Sequence, residues 1–160
     1  MRIRLRSRVL LSQTAFVPTR SGRSPHDNGS MANRPISVAI VDDDASVRFS
    51  LQRLCEVYGL RATAYGSGRE FLASLERASS CADCLLLDAH MPEMTGSELQ
   101  RQLLTRGVQI PTIVITADDV PVNAAAHANT GPVAWLQKPV SGDALLSAIQ
   151  QAVRGSDPIS

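Results

Sequence analysis

The sequence predicts an α/β fold: a parallel sheet of five strands, crossed by helices that cover both faces. Three observations predict it. Residues 83–88 contain Leu85-Leu86-Leu87 running straight into Asp88, and an unbroken apolar run of that length reads as a strand buried on both faces. Five such β-rich runs alternate with stretches of helical periodicity across about 120 residues, the order that gives parallel strands and right-handed crossovers. The polar residues at the carboxyl ends of these runs would all lie on one edge of the sheet, where open α/β sheets bind ligands.

In chain order, residues 36–41 form the first run and lead into Asp42-Asp43-Asp44. Val47, Leu51, Leu54, Cys55 and Tyr58 then recur at helical spacing, and Gly59 is placed to stop that helix. Residues 60–65 read as a second, weaker strand. Ser67-Gly68-Arg69-Glu70 has the capping-box pattern and precedes the apolar Phe71, Leu72 and Leu75. The third strand, 83–88, is stopped by Met91-Pro92, because proline lacks an N–H and restricts its predecessor. A second capping box, Thr95 to Glu98, opens a helix through Leu99, Leu103 and Leu104 to Gly107. Residues 110–116 give the fourth strand, with Pro111 tolerable near its start. An Ala-rich helix is expected at roughly 121–128, a fifth strand at 133–136 cut by Lys138-Pro139, and a last helix capped by Ser141 and carrying Leu145, Ile149 and Val153.

Length and composition set the limits. The 160 residues suffice for one domain with a proper core. Aromatic residues make up 4% of the chain, so that core must be aliphatic. No apolar stretch is long enough to span a membrane. Three cysteines do not suggest a disulfide framework, and a reducing cytoplasm is the expected location. Residues 1–34 hold seven Arg and one acid, whereas 35–160 hold nine basic and fourteen acidic residues, a net charge of −5. An acidic globular part argues against direct DNA binding.

Three segments are therefore expected. Residues 1–34 form a disordered basic extension, in which translation truly starting at Met31 is the plainest account of 1–30. An organellar transit peptide or a basic tail for an acidic partner are the alternatives. Residues 35–154 form the domain, and 155–160 a frayed tail.

The aligned strand ends carry the chemistry. Asp42 and Asp43 follow the first strand, Asp88 ends the third, Thr116 the fourth, and Lys138, the only lysine of the chain, follows the fifth. Three carboxylates clustered without a counterion would repel one another and push one pKa up. Mg²⁺ relieves this, since it prefers carboxylate, carbonyl, water and phosphate oxygens. A cation held beside a free carboxylate suits phosphoryl transfer: Asp88 attacks in line, and Lys138 supplies a second positive charge.

Taken together, Val41-Asp42-Asp43-Asp44, residues 87–96 from Leu87-Asp88 to Thr95-Gly96, Ile115-Thr116-Ala117 and Trp135-Leu136-Gln137-Lys138-Pro139 make the sequence resemble the receiver domain of bacterial two-component response regulators. Cys84-Leu85-Leu86-Leu87 and Asp119-Val120-Pro121 are most similar to the nitrogen-fixation regulator type. The resemblance implies a flavodoxin-like (βα)5 doubly wound sheet in strand order 2-1-3-4-5. It implies that Asp88 accepts a phosphoryl group from a histidine kinase or phosphotransfer protein. Mg²⁺ would be held by Asp42, Asp43, Asp88 and the backbone carbonyl of His90. Thr116 would hydrogen-bond the phosphoryl group and Lys138 would pair with it. The Lys138–Pro139 bond would be cis, and Trp135 would occupy the switch-aromatic position, usually Tyr or Phe.

On that reading the protein is a phosphorylatable switch rather than a turnover enzyme. Its output would be contact with a downstream protein through the face made by the helix at 121–128, the fifth strand and the last helix. A stand-alone receiver is expected, and a homodimer is compatible with it. Val140 stands where Phe is common, and Asn129-Thr130-Gly131-Pro132 replaces a more usual Ala-Gly turn. Two other functions carry weight. One is a phosphate-independent docking module. The other is an aspartyl-nucleophile phosphatase of the haloacid-dehalogenase kind, which expects a second acid where this chain has His90.

Plainer roles stand beside these. The acid triplet could merely cap a helix, Thr116 could be an ordinary strand-end hydroxyl, and Trp135 an ordinary core aromatic. Cys81-Ala82-Asp83-Cys84 has CxxC spacing without a second ligand pair. Cys84 is expected in the core and Cys81 in a loop.

Overall fold

The computed structural model describes residues 34–77, 81–118 and 134–155. The expectations for 1–33, for the helix at 121–128, for the turn at 129–132 and for the tail at 156–160 lie outside the described residues.

The elements are β1 (Ser37–Val41), α1 (Ala45–Val57), β2 (Arg61–Tyr65), α2 (Gly68–Arg77), β3 (Cys84–Asp88), α3 (Gly96–Thr105), β4 (Thr112–Thr116), β5 (Ala134–Gln137) and α4 (Gly142–Arg154). The five strands form one parallel sheet in the order β2-β1-β3-β4-β5, which is the flavodoxin-like doubly wound arrangement. β3 and β4 are buried at every position, as central strands must be, while β2 at the edge is half-exposed. Its edge position explains its weaker apolar pattern.

Strand alternation divides the core in two. Val38, Ile40, Cys84, Leu86, Ile113 and Ile115 face one layer, with Leu51 and Cys55 of α1 and Leu145 and Ile149 of α4. Ala39, Val41, Leu85 and Leu87 face the other, with Phe71 of α2 and Leu99 and Leu103 of α3. Arg34 extends the domain by one residue beyond the expected start, through a two-pronged ion pair with Asp83 at 2.6 and 3.0 Å. Cys84 is fully buried and Cys81 exposed, as expected. Burial pushes the Cys84 thiol up to about 12, which leaves it protonated and inert.

Element ends show where local chemistry sufficed. Asp44 caps α1 by accepting from Ser46 and Val47 N–H, and Gly59 ends it at φ +72°, a conformation that favours glycine. The Thr95–Glu98 capping box is complete. The one at Ser67 is half-formed, a correction to the sequence reading. Ser67 Oγ accepts from Glu70 N–H at 3.1 Å, but the Glu70 carboxylate takes the Gly66 N–H at 2.7 Å instead of that of Ser67. β4 begins at Thr112 rather than 110, and β5 runs on to Gln137 because Thr116 and Gln137 stay in register.

Gly96 allows α3 to start directly beside the end of β3. A Cβ there would lie 2.9 Å from the Asp88 carbonyl oxygen and 3.4 Å from Leu87 Cγ. Both are held by neighbouring structure, so Gly96→Ala is expected to cost about 1–3 kcal/mol, the usual range for overpacking. Urea unfolding would measure it, and a change within about 0.5 kcal/mol would show that the loop yields freely.

Candidate functional site

The sheet brings the strand ends together as the sequence reading required. Val41 and Leu87 are register partners, so Asp42 and Asp88 emerge side by side from β1 and β3. Asp42 and Asp88 are buried, at 2% and 6% exposure, and Asp43 is open to solvent. One carboxylate oxygen from each of the three lies within 4.8 Å of the others. Such a set of hard oxygen donors, two sheltered and one facing water, fits Mg²⁺ with room for retained waters.

Lys138 is the partner that Asp88 needs. Its Nζ donates to Asp88 Oδ1 at 2.9 Å and to Asp42 Oδ2 at 3.0 Å. Its backbone N–H donates to the Thr116 carbonyl at 2.8 Å, which fixes the lysine beside β4. The Lys138–Pro139 peptide bond is cis. Burial pushes the Asp88 carboxyl up. The bond from Lys138 pulls it back, but the Asp42 and Asp43 charges push with burial, and the net direction is upward. Burial also works against the Lys138 ammonium, yet its bonds to Asp88 and Asp42 and their charges outweigh it and hold Lys138 above its ordinary range. The site is a compact anionic cleft with one cation already inside it.

The other expected residues divide. Thr116 is buried at the end of β4, and its hydroxyl accepts the Asp118 N–H at 3.1 Å. His90 stands in the loop after β3, and its imidazole Nε2 lies 2.8 Å from Asp118 Oδ2 instead of joining the acids. Asp44 stays out of the cluster altogether. It serves α1 as its cap, and the Ser46 hydroxyl and the Ser46 and Val47 N–H groups hold its carboxyl below the usual carboxylate range. The plain helix-capping role thus belongs to Asp44 alone.

Trp135 is the second residue of β5, opposite Val114. Its indole Nε1 is buried with no hydrogen-bond partner among the described residues. Unpaired burial of such a donor costs about 1–3 kcal/mol. Trp135→Phe removes the donor and some apolar area together, so its stability in urea is expected to match or exceed that of the parent. A loss above about 2 kcal/mol would mean that the N–H is in fact paired.

Sequence reasoning missed two residues. Asp118 gave no signal beyond its place two residues after Thr116. Arg48 gave only the presence of a base one turn into the helix that follows the acids. In the structure its Nη1 donates to the Asp42 carbonyl at 2.7 Å.

Comparison with known proteins agrees with this architecture. Residues 38–150 match the family described as response regulator receiver domain. The chain is 38% identical over 136 residues to the response regulator protein TodT of Pseudomonas putida, covering 83% of this chain and 59% of that protein. It is 37% identical over 116 residues to nodulation protein W of Bradyrhizobium diazoefficiens, covering 72% and 50%. The chain thus spans 59% and 50% of the length of these two relatives. Among solved structures, a response regulator receiver protein from Burkholderia phymatum aligns with TM-score 0.65 and 35% identity, covering 79% of this chain and all of that one.

Proposed function

From the premise that the chain belongs to the response regulator receiver family, we propose that Asp88 accepts a phosphoryl group from a histidine kinase or phosphotransfer protein. The observation that carries this reading is the seat of Lys138 Nζ between Asp42 and Asp88, beside a third carboxylate. An Asp88 oxygen bonds to phosphorus as the N–P bond of a phosphohistidine donor breaks. The imidazole leaves, and the product is an acyl phosphate on Asp88.

Asp42, Asp43 and Asp88, with the His90 carbonyl, are the proposed holders of Mg²⁺. When bound, the cation neutralises charge on the transferring phosphoryl oxygens. Lys138 would exchange its bond to Asp88 Oδ1 for one to a phosphoryl oxygen. Thr116 would turn its hydroxyl proton to another, a step open to it because its oxygen is at present the acceptor of the Asp118 N–H. Movement of Thr116 would reach Trp135 through the paired strands β4 and β5, and the indole N–H would gain by finding an acceptor. Two arrangements close in free energy make an element that phosphate can bias.

The donor protein would approach along α1. A groove of about 450 Å³ there is lined by Val47, Leu54, Pro139 and Val140 and reaches Lys138, and Phe49 of the same helix is 63% exposed. The output would be a protein contact through β5 and α4, with no direct DNA binding by the acidic domain. Among the described residues no helix is long and apolar enough to cross a membrane, and a cytoplasmic place follows from the proposed donor. The nitrogen-fixation regulator type is a further part of this reading. It rests on the sequence likeness at 84–87 and 119–121.

Incubation with acetyl phosphate and Mg²⁺, followed by intact mass measurement, tests it. A switch gains one phosphoryl group per chain and Trp135 fluorescence changes with it. A phosphatase would turn over without accumulating the adduct, and a docking module would not react. Either of the last two results would replace the proposal.

A further inference from the structure

The turn between β1 and α1 carries two of the three clustered acids, and it holds them differently. Asp42 is buried and accepts from the Asp44 N–H at 2.9 Å and from Lys138. Asp43 is exposed, and its carboxylate accepts no hydrogen bond among the described residues. Where that carboxylate sits is therefore set by the backbone beneath it, above all by the peptide unit joining Asp42 to Asp43.

One side chain outside the cluster grips that peptide unit. Arg48, on the first turn of α1, donates from Nη1 to the Asp42 carbonyl oxygen at 2.7 Å. Its guanidinium lies against the β2–α2 loop, where a Cβ on Gly66 would be 3.6 Å from Nη1. The loop itself is fixed by the Gly66 N–H bond to Glu70 at 2.7 Å. On the other side of the same residue, the Asp42 N–H donates to the Tyr65 carbonyl at 3.3 Å. The half-buried guanidinium thus lies between the β1–α1 turn and the β2–α2 loop.

We propose that Arg48 is a positioning residue for divalent-cation binding: by fixing the Asp42–Asp43 peptide it brings the Asp43 carboxylate to Asp42 and Asp88. This inference rests on the reading of the three acids as a Mg²⁺ site. Two effects compete when Arg48 is removed. Its positive charge repels a cation, so losing it would tighten binding, the less so the more water and salt screen the pair. Losing an outer group that orients a ligand weakens metal binding by about 10–100-fold. The two have opposite signs, and a positioning role requires that the second prevail, which the sign of the change in affinity decides.

Calorimetric titration of MgCl₂ into the full chain tests this, with Arg48→Met and Arg48→Lys beside the unsubstituted protein. Methionine keeps the aliphatic stem and loses the donor. Arg48→Met is expected to bind Mg²⁺ about tenfold more weakly, while circular dichroism melting in EDTA shows the fold retained. Arg48→Lys keeps the charge but not the planar fork and is expected to fall between the two. Acetyl phosphate labelling of Arg48→Met should need more Mg²⁺ yet reach the same plateau, which a general loss of structure would not give. Unchanged or tighter binding by Arg48→Met overturns the inference and leaves Arg48 a brace for α1. If Arg48→Met does not fold, Arg48→Lys decides, and binding equal to that of the unsubstituted chain overturns it. Mg²⁺ binding absent from the unsubstituted chain overturns the cation reading and this inference together, whereas binding kept in Arg48→Met but lost in Asp43→Ala overturns this inference alone.

Discussion

Asp88→Asn is expected to take up no phosphoryl group from acetyl phosphate and Mg²⁺ under conditions in which the unsubstituted chain is fully labelled. The side chain keeps its size at the buried end of β3, so the cleft survives, but an amide oxygen is not a nucleophile toward phosphorus. Of the other two carboxylates, Asp42 is already bonded to Lys138 and to the Asp44 N–H. Asp43 stands in solvent at the rim. The loss should exceed a hundredfold, since the reacting atom itself is gone. Because one of three mutually repelling charges is removed, the metal-free variant should be no less stable than the parent. Intact mass spectrometry with urea unfolding reads both quantities. Undiminished labelling would move the acceptor elsewhere.

Lys138→Met carries the second large effect, and it depends on pH. The ammonium contacts two carboxylates that are nearly inaccessible to water, while its own side chain is 25% exposed. Removing one partner of a buried ion pair costs about 3–5 kcal/mol, and the lysine's partial exposure argues for the lower end, about 3 kcal/mol at neutral pH. The sign with pH follows from Asp88, whose folded pKa is already raised, first by burial and then by its acidic neighbours against the pull of Lys138. A group raised on folding contributes stability that is fully present below its unfolded pKa and is lost as pH rises through the folded one. Without Lys138 the folded pKa rises further, so the window of loss widens toward neutrality. The deficit of Lys138→Met should therefore shrink when urea melts are run at pH 5 instead of pH 8. Mg²⁺ at pH 8 should reduce it as well, since a cation bound only by the folded chain stabilises it by mass action. An equal deficit at both pH values, insensitive to Mg²⁺, would mean that the lysine acts through packing alone.

Much of this was written locally in the sequence. Leu85-Leu86-Leu87 could be read as central because a strand with helices on both faces has no polar side to show, and β3 is buried at all five positions. Asp88 could be read as a site residue because a carboxylate at the end of such a strand is costly without a partner. Parallel topology then put Asp42, Asp43, Thr116 and Lys138 on the same edge, since every strand opens there. Thr95 with Glu98, and Gly59, gave correct helix ends because those bonds span few residues.

Only the folded chain decided the rest, because it turns on distances between particular groups, which residue type and spacing leave open. Lys138 reaches Asp88 across 50 residues and Asp42 across 96, and sequence order alone did not say that one ammonium would hold both. The Glu70 carboxylate accepts from the Gly66 N–H, just past the end of β2, while its own N–H keeps the bond to Ser67 Oγ. The pairing of His90 with Asp118 depends on two loops that meet only after β3 and β4 lie side by side. Arg48 looks from sequence like any surface arginine of an amphipathic helix. It becomes a grip on the acid-bearing turn only when α1 packs across β1 and β2, for a hydrogen bond needs donor and acceptor within about 3 Å, and no local pattern specifies a distance that tertiary packing sets.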